Sequence, residues 1–217
     1  ILTRINREVL DRSELSKVEE VWFRGPDKNF LQGWIMKPPS FNPRKKYPSI
    51  LYIHGGPLTQ YGKLFFHEFE VLAANGYVVY FCNPRGGKGY GEEHAAAIWG
   101  AWGSADYDDL MAWTDYMEKQ PYIDRERMGV TGGSYGGYMT MMALAKTPDL
   151  WAAGGEVVGP FDWVSMLKHA DPSIAQYIRS LLGDPVKDAD IYRKTAPITY
   201  IRDVKAPLLV LQGDNDP

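Results

Sequence analysis

One serine in this sequence is crowded by glycine: residues 128–139 read MGVTGGSYGGYM, with Ser134 at the centre. Gly132-Gly133-Ser134-Tyr135-Gly136 satisfies the spacing G-x-S-x-G, which holds a serine on a sharp turn from strand to helix. Such a turn strains the serine backbone, and side chains two residues to either side would collide. Glycine at 132 and 136 removes those collisions. The hydroxyl then stands at a helix N-terminus, where unpaired N–H groups and the positive dipole end favour developing negative charge. That is the chemistry of acyl transfer, with Ser134 as nucleophile and the Tyr135 N–H as an oxyanion donor. A second donor is expected in a glycine-rich loop after an early strand, and His54-Gly55-Gly56-Pro57 follows the apolar run 49–54. The Gly56 N–H is the candidate, with His54 orienting the loop by hydrogen bonding instead of acting as the base.

A serine so placed needs an acid and then a histidine further along the chain. The run LLVLQGDNDP ends on two aspartates, Asp214 and Asp216, and either could serve; Asp214 also suits shaping of the turn. The four histidines, His54, His67, His94 and His169, all precede Asp216. One more helix, one strand and their loops would complete such a fold, so the base is expected about 25–35 residues past Pro217. His169 follows the serine but could act only in a nonstandard order. His67-Glu68 makes no zincin motif, because residue 71 is Val71.

The elements that must position these groups read as strand, helix, strand, helix. After about 16 polar, helix-compatible residues, VEEVWFRG and NFLQGWIMK flank the turn-forming RGPDKN, which predicts a hairpin. PPSFNPRKKYP is a solvated connection. Buried strands are predicted at 49–54, 77–81, 127–132, 152–159 and 206–213. Helices are predicted at 64–76, around EEHAAAIW, at 106–120 and at 136–148, with several helical turns within 160–200. The acids opening the helix 106–120 match its dipole. The pattern is α/β, a mostly parallel sheet with helices on both faces.

Composition narrows the function classes. The chain has 217 residues, 45% hydrophobic and 24% charged, enough for one full core of an ordinary globular enzyme. A net charge of −3 leaves no broad basic surface for nucleic acid or an anionic membrane. Cys82 stands alone, so neither an internal disulfide nor a cysteine metal cage can form, and no apolar run suggests a membrane span. No cofactor is called for. The opening ILTRINREVLDRSELSK is too charged for a signal peptide, and neither end reads as a natural terminus, so a piece of a longer protein is expected.

YPSILYIHGGP, NPRGGKGYG, DDLMAWTDYM, RMGVTGGSYGGYMT and KAPLLVLQGDNDP, in this order, resemble the catalytic domain of the prolyl oligopeptidase family over about residues 15–217. GGSYGG with HGGP is similar to the acylaminoacyl-peptidase branch. The resemblance implies an α/β-hydrolase fold, truncated at its C-terminus, in residues 17–217, with residues 1–16 the linker from an absent β-propeller. It implies a serine peptidase acting on short or N-acylated peptides, with homo-oligomers an open option; a cytoplasmic location is expected. It assigns Ser134 as nucleophile, Asp216 as triad acid, and the Gly56 and Tyr135 N–H groups as oxyanion donors. Phe161 and Trp163 resemble residues lining the S1 pocket, against a reading as ordinary core aromatics. Arg85, in a loop that fails the phosphate-loop pattern, reads as a structural ion-pair partner before a substrate contact. The same chemistry suits a carboxylesterase, and without its histidine the chain as it stands is expected to have at most residual activity.

Overall fold

Seven strands form one mixed sheet in the computed structural model, which describes residues 3–216. The predicted hairpin comes first, with β1 (Val18–Arg24) and β2 (Phe30–Met36) paired antiparallel. β3 (Tyr47–Ile53), β4 (Val78–Cys82), β5 (Ile123–Gly133), β6 (Ala153–Val157) and β7 (Leu208–Leu211) run parallel to one another, in the sheet order β1-β2-β4-β3-β5-β6-β7. From β3 the chain steps outward to β4, whereas from β5 it steps the opposite way to β6. The strand order therefore reverses between β3 and β5. In open α/β sheets a crevice for ligands lies beyond the carboxyl ends of the strands at such a reversal. Ile53 and Gly132 are paired at those ends, so the His54 loop and the Ser134 turn leave the sheet side by side.

The helices are α1 (Arg7–Leu10), α2 (His67–Ala74), α3 (Glu92–Ala96), α4 (Ala105–Glu118), α5 (Tyr135–Lys146), α6 (Trp163–His169), α7 (Pro172–Leu182) and α8 (Ala189–Thr195), followed by a 3-10 turn at Pro197–Asp203. Period-two alternation in β4 divides the core. Val78, Tyr80 and Cys82 face α4 and α5, while Val79 and Phe81 pack with Trp34, Met36 and Phe69 of α2. Helix α5 is buried from Tyr135 to Ala145, which explains its near-continuous apolar sequence.

Two boundaries differ from the sequence reading by three residues or more. α2 starts at His67 instead of 64, since Leu64 and Phe65 are exposed and no burial holds them in a first turn. β5 reaches back to Ile123 through the polar Asp124–Arg127, which backbone pairing near Tyr47 recruits despite a register irregularity. Among the described residues no helix is long and apolar enough to cross a membrane.

Arg85 is an ion-pair residue. Its Nε and Nη2 donate to the two carboxylate oxygens of Asp109 at 2.9 and 2.7 Å, and Nη1 meets Asp27. The Arg85 N–H also donates to Asp109, whose side chain is fully buried. This fork ties the glycine-rich loop after β4 to α4. Arg85→Ala would strand a buried carboxylate, and we expect a loss of about 3–5 kcal/mol in urea-unfolding stability.

Candidate active site

The turn after β5 has the strain its glycines imply. Ser134 sits at φ 58°, ψ −120°, a conformation that non-glycine residues avoid. Its N–H donates to the Val157 carbonyl at 2.8 Å, and its carbonyl accepts from Tyr138 N–H at 3.0 Å to start α5. A β-carbon built on Gly132 would lie 2.7 Å from the Gly136 carbonyl carbon, and one on Gly136 would run into the Ile53 carbonyl oxygen. Strand β3 and helix α5 thus approach through backbone at the serine. Tyr135, the first residue of α5, has an N–H outside the helical ladder.

The loop after β3 packs on this turn. A β-carbon on Gly55 would lie 3.1 Å from the Gly133 carbonyl oxygen and 3.5 Å from Ser134 Cβ. His54 is buried, its Nδ1–H donates to the Gly55 carbonyl at 2.7 Å, and burial lowers its pKa. The Gly55 carbonyl and the Gly56 N–H belong to one peptide, so this bond orients the plane that carries that N–H. Among the described residues the Gly56 N–H has no internal acceptor. Both candidate oxyanion donors are therefore unspent, on two backbone segments that meet at Ser134.

Asp216 lies on a neighbouring cleft of about 220 Å³, walled also by Val158, Phe161, His169 and Gln212. Its carboxylate accepts from Gln212 Nε2 at 3.0 Å. The cleft and the serine turn share the end of β6: Val157 accepts from Ser134, and Val158 follows at φ 48°. A left-handed backbone at a β-branched residue is an outlier, and it is held from two sides. Val158 N–H donates to Leu211 at 2.8 Å, and the buried Glu156 carboxylate accepts from the Gly159 N–H. Asp214 is exposed and does not wall this cleft.

The two aromatics separate. Phe161 is 54% exposed and faces the cleft. Trp163 is 2% exposed, donates from Nε1 to Thr195 at 3.1 Å, and packs on Trp102 and Tyr138, so it is placed in the core and not among the cleft walls. His67 is exposed on α2, and His94 donates from Nε2 to the Pro84 carbonyl at 2.9 Å. His169 shares the Asp216 cleft, but its Nδ1–H donates to the Ser165 carbonyl at 2.9 Å. None of these histidines hydrogen-bonds Ser134 or Asp216 among the described residues.

Sequence reading missed two buried acids near the site. Glu156 carries no local signal within its strand. Asp106 did carry one: it shares a helical face with Asp109, Leu110, Trp113 and Met117, all buried. An acid on the apolar stripe is a stronger observation than an acid in a first turn.

The profile of the prolyl oligopeptidase family matches residues 63–217. The chain is 38% identical over 218 residues to the uncharacterized peptidase YuxL of Bacillus subtilis, covering 99% of this chain and 33% of that protein. It is 36% identical over 177 residues to dipeptidyl aminopeptidase BIII of Pseudoxanthomonas mexicana, covering 78% of this chain and 25% of that protein. Its structure superposes on Pyrococcus horikoshii acylaminoacyl peptidase with a TM-score of 0.89 at 34% identity, over 96% of this chain and 34% of that one. The chain spans about a third or less of the length of these relatives. The expected α/β-hydrolase architecture holds. With a strained serine at the strand reversal, a glycine loop against it, and a family profile matching most of its length, this chain belongs to the prolyl oligopeptidase family.

Proposed function

We propose that this chain carries the nucleophile, the oxyanion donors and the triad acid of a serine peptidase that cleaves short or N-acylated peptides. The observation that carries the reading is the strained Ser134 backbone at the reversal between β3 and β5, faced by the His54–Pro57 loop. Strain of this kind persists only where the surroundings enforce it, and here it holds an exposed serine just beyond the carboxyl ends of β3 and β5.

In this reading Ser134 Oγ attacks the scissile carbonyl carbon while a histidine takes its proton. Asp216 orients that histidine and stabilises its charged form. The carbonyl oxygen becomes an oxyanion and accepts from the Gly56 and Tyr135 N–H groups. Collapse breaks the C–N bond, the histidine returns the proton to the departing amine, and an acyl group stays on Ser134. Water then repeats the sequence and releases the acid. The histidine is assigned outside residues 1–217, because none of the four in the chain hydrogen-bonds Ser134 or Asp216 among the described residues. Residues 1–16 are read as the linker from a β-propeller, and Phe161 as a wall for the side chain preceding the scissile bond.

Peptides are preferred over esters because the relatives' names are those of peptidases. The test is turnover by the full-length protein of dipeptidyl and N-acylaminoacyl amides beside short-chain esters. Amide hydrolysis is expected. Turnover of esters alone would replace this reading with a carboxylesterase.

A further inference from the structure

Asp106 is a carboxylate in an unusual place. It lies in the first turn of α4, it is 1% exposed, and its Oδ1 has no partner among the described residues. Its Oδ2 accepts from Tyr135 Oη and from the Gly103 N–H at 3.3 Å. Removing a carboxylate from water this completely is costly: burial pushes its pKa up, opposed first by the Tyr135 hydroxyl and then by the backbone N–H groups of Gly103, Tyr107 and Asp106. The Tyr135 hydroxyl is the main partner, and Tyr135 is the residue that follows the nucleophile.

The surroundings make the contact rigid. Trp102 meets the Tyr135 ring edge-on, with centroids 5.3 Å apart, and Trp102 in turn packs on Trp163 at 4.8 Å. Lys146, at the far end of α5, donates to the Gly103 carbonyl at 2.7 Å. The segment 102–106, which leads into α4, therefore grips α5 at its first residue through Tyr135 and at its last through Lys146. Ser134 precedes that helix directly, and its strained φ must be enforced from both sides. Val157 holds the serine N–H on one side. On the other, the tyrosine ring is the handle on the peptide that joins Ser134 to Tyr135.

We infer that Asp106 is a positioning residue for hydrolysis: by accepting from Tyr135 Oη it fixes the Ser134–Tyr135 peptide, whose N–H is the oxyanion donor. The inference rests on the proposed peptidase reading. It differs from a plain core hydrogen bond in what it does to kinetics. A core bond supports the fold, whereas a donor that loses its aim weakens the transition state and leaves substrate binding alone.

The test uses the full-length protein and a chromogenic peptide amide. Asp106→Ala and Tyr135→Phe should each lower kcat about 10-fold with KM changed by less than about twofold, less than the loss from deleting a donor outright. The double variant should be no slower than either single one, because both break the same bond. Asp106→Asn should recover most of the rate, since its amide oxygen still accepts from Tyr135 Oη. If Asp106→Ala fails to fold, Tyr135→Phe and Asp106→Asn decide the matter alone. Unchanged kcat in a folded Tyr135→Phe, losses that multiply in the double variant, or a rise in KM alone would overturn the inference. An inactive wild-type protein would overturn the peptidase reading and this inference together; an active one with indifferent variants overturns only this inference.

Discussion

Ser134→Gly is expected to abolish peptide hydrolysis in the full-length protein and, in the same molecule, to raise its stability by about 1 kcal/mol. The two effects have one origin. At φ 58°, ψ −120° a β-carbon is strained, and such residues cost about 1–3 kcal/mol. Glycine relieves that cost but adds about 0.5–1 kcal/mol of unfolded-chain entropy to be lost on folding, so relief wins by a small margin. Ser134→Ala is the control: it keeps the β-carbon and the strain while losing the nucleophile. Both variants should lose at least about 10⁴-fold in kcat, as expected when an activated nucleophile is removed. In urea, Ser134→Gly should unfold at a higher concentration than Ser134→Ala, which should track the wild type. Coincident transitions for all three would show that the turn stores no strain.

The second large effect is expected at Gly136. A β-carbon there would overlap the Ile53 carbonyl oxygen and lie 2.9 Å from the Ile53 carbonyl carbon and 3.1 Å from the His54 oxygen. All three atoms are backbone, so no side chain can swing aside; β3 and α5 must separate. Gly136→Ala should cost about 3 kcal/mol, the upper end for overpacking, and the same displacement moves the His54–Pro57 loop away from Ser134. Gly133→Ala is the contrast within the same motif. Its β-carbon would meet only the Val157 carbonyl oxygen, at 3.8 Å, an ordinary contact. Its cost in unfolding experiments should stay below about 1 kcal/mol. Equal destabilisation at 133 and 136 would contradict a backbone-to-backbone contact between β3 and α5 at the serine turn.

Much of this arrangement was legible before any coordinates, and the reasons are local. Gly132 and Gly136 flank a serine at the one spacing a strand-to-helix reversal tolerates, and the strained φ follows from that spacing. Strands β3 and β4 are short, apolar and bounded by turn chemistry, so they could be placed within a residue or two. The contacts that could not be read are those between distant segments. Arg85 finds Asp109 and Asp27 only once β4, α4 and the hairpin are assembled. Tyr135 was readable as a backbone donor, but its hydroxyl partner Asp106 was not, because nothing in the order of the chain brings α4 to the start of α5. Phe161 and Trp163 are two residues apart and identical in sequence appeal. Only the turn into α6 sends one to the cleft and the other to the core. The positive φ at Val158 had no sequence signal at all, since valine is the wrong residue for it.

The central claim is that Ser134 is an activated nucleophile and not a serine in a glycine-rich turn. The direct measurement is covalent labelling of the full-length protein with a fluorophosphonate, followed by peptide mapping. One labelled residue is expected, Ser134, on the peptide containing GGSYGG, with labelling lost in Ser134→Ala. A label on any other residue, or wild-type labelling that survives Ser134→Ala, would contradict the claim.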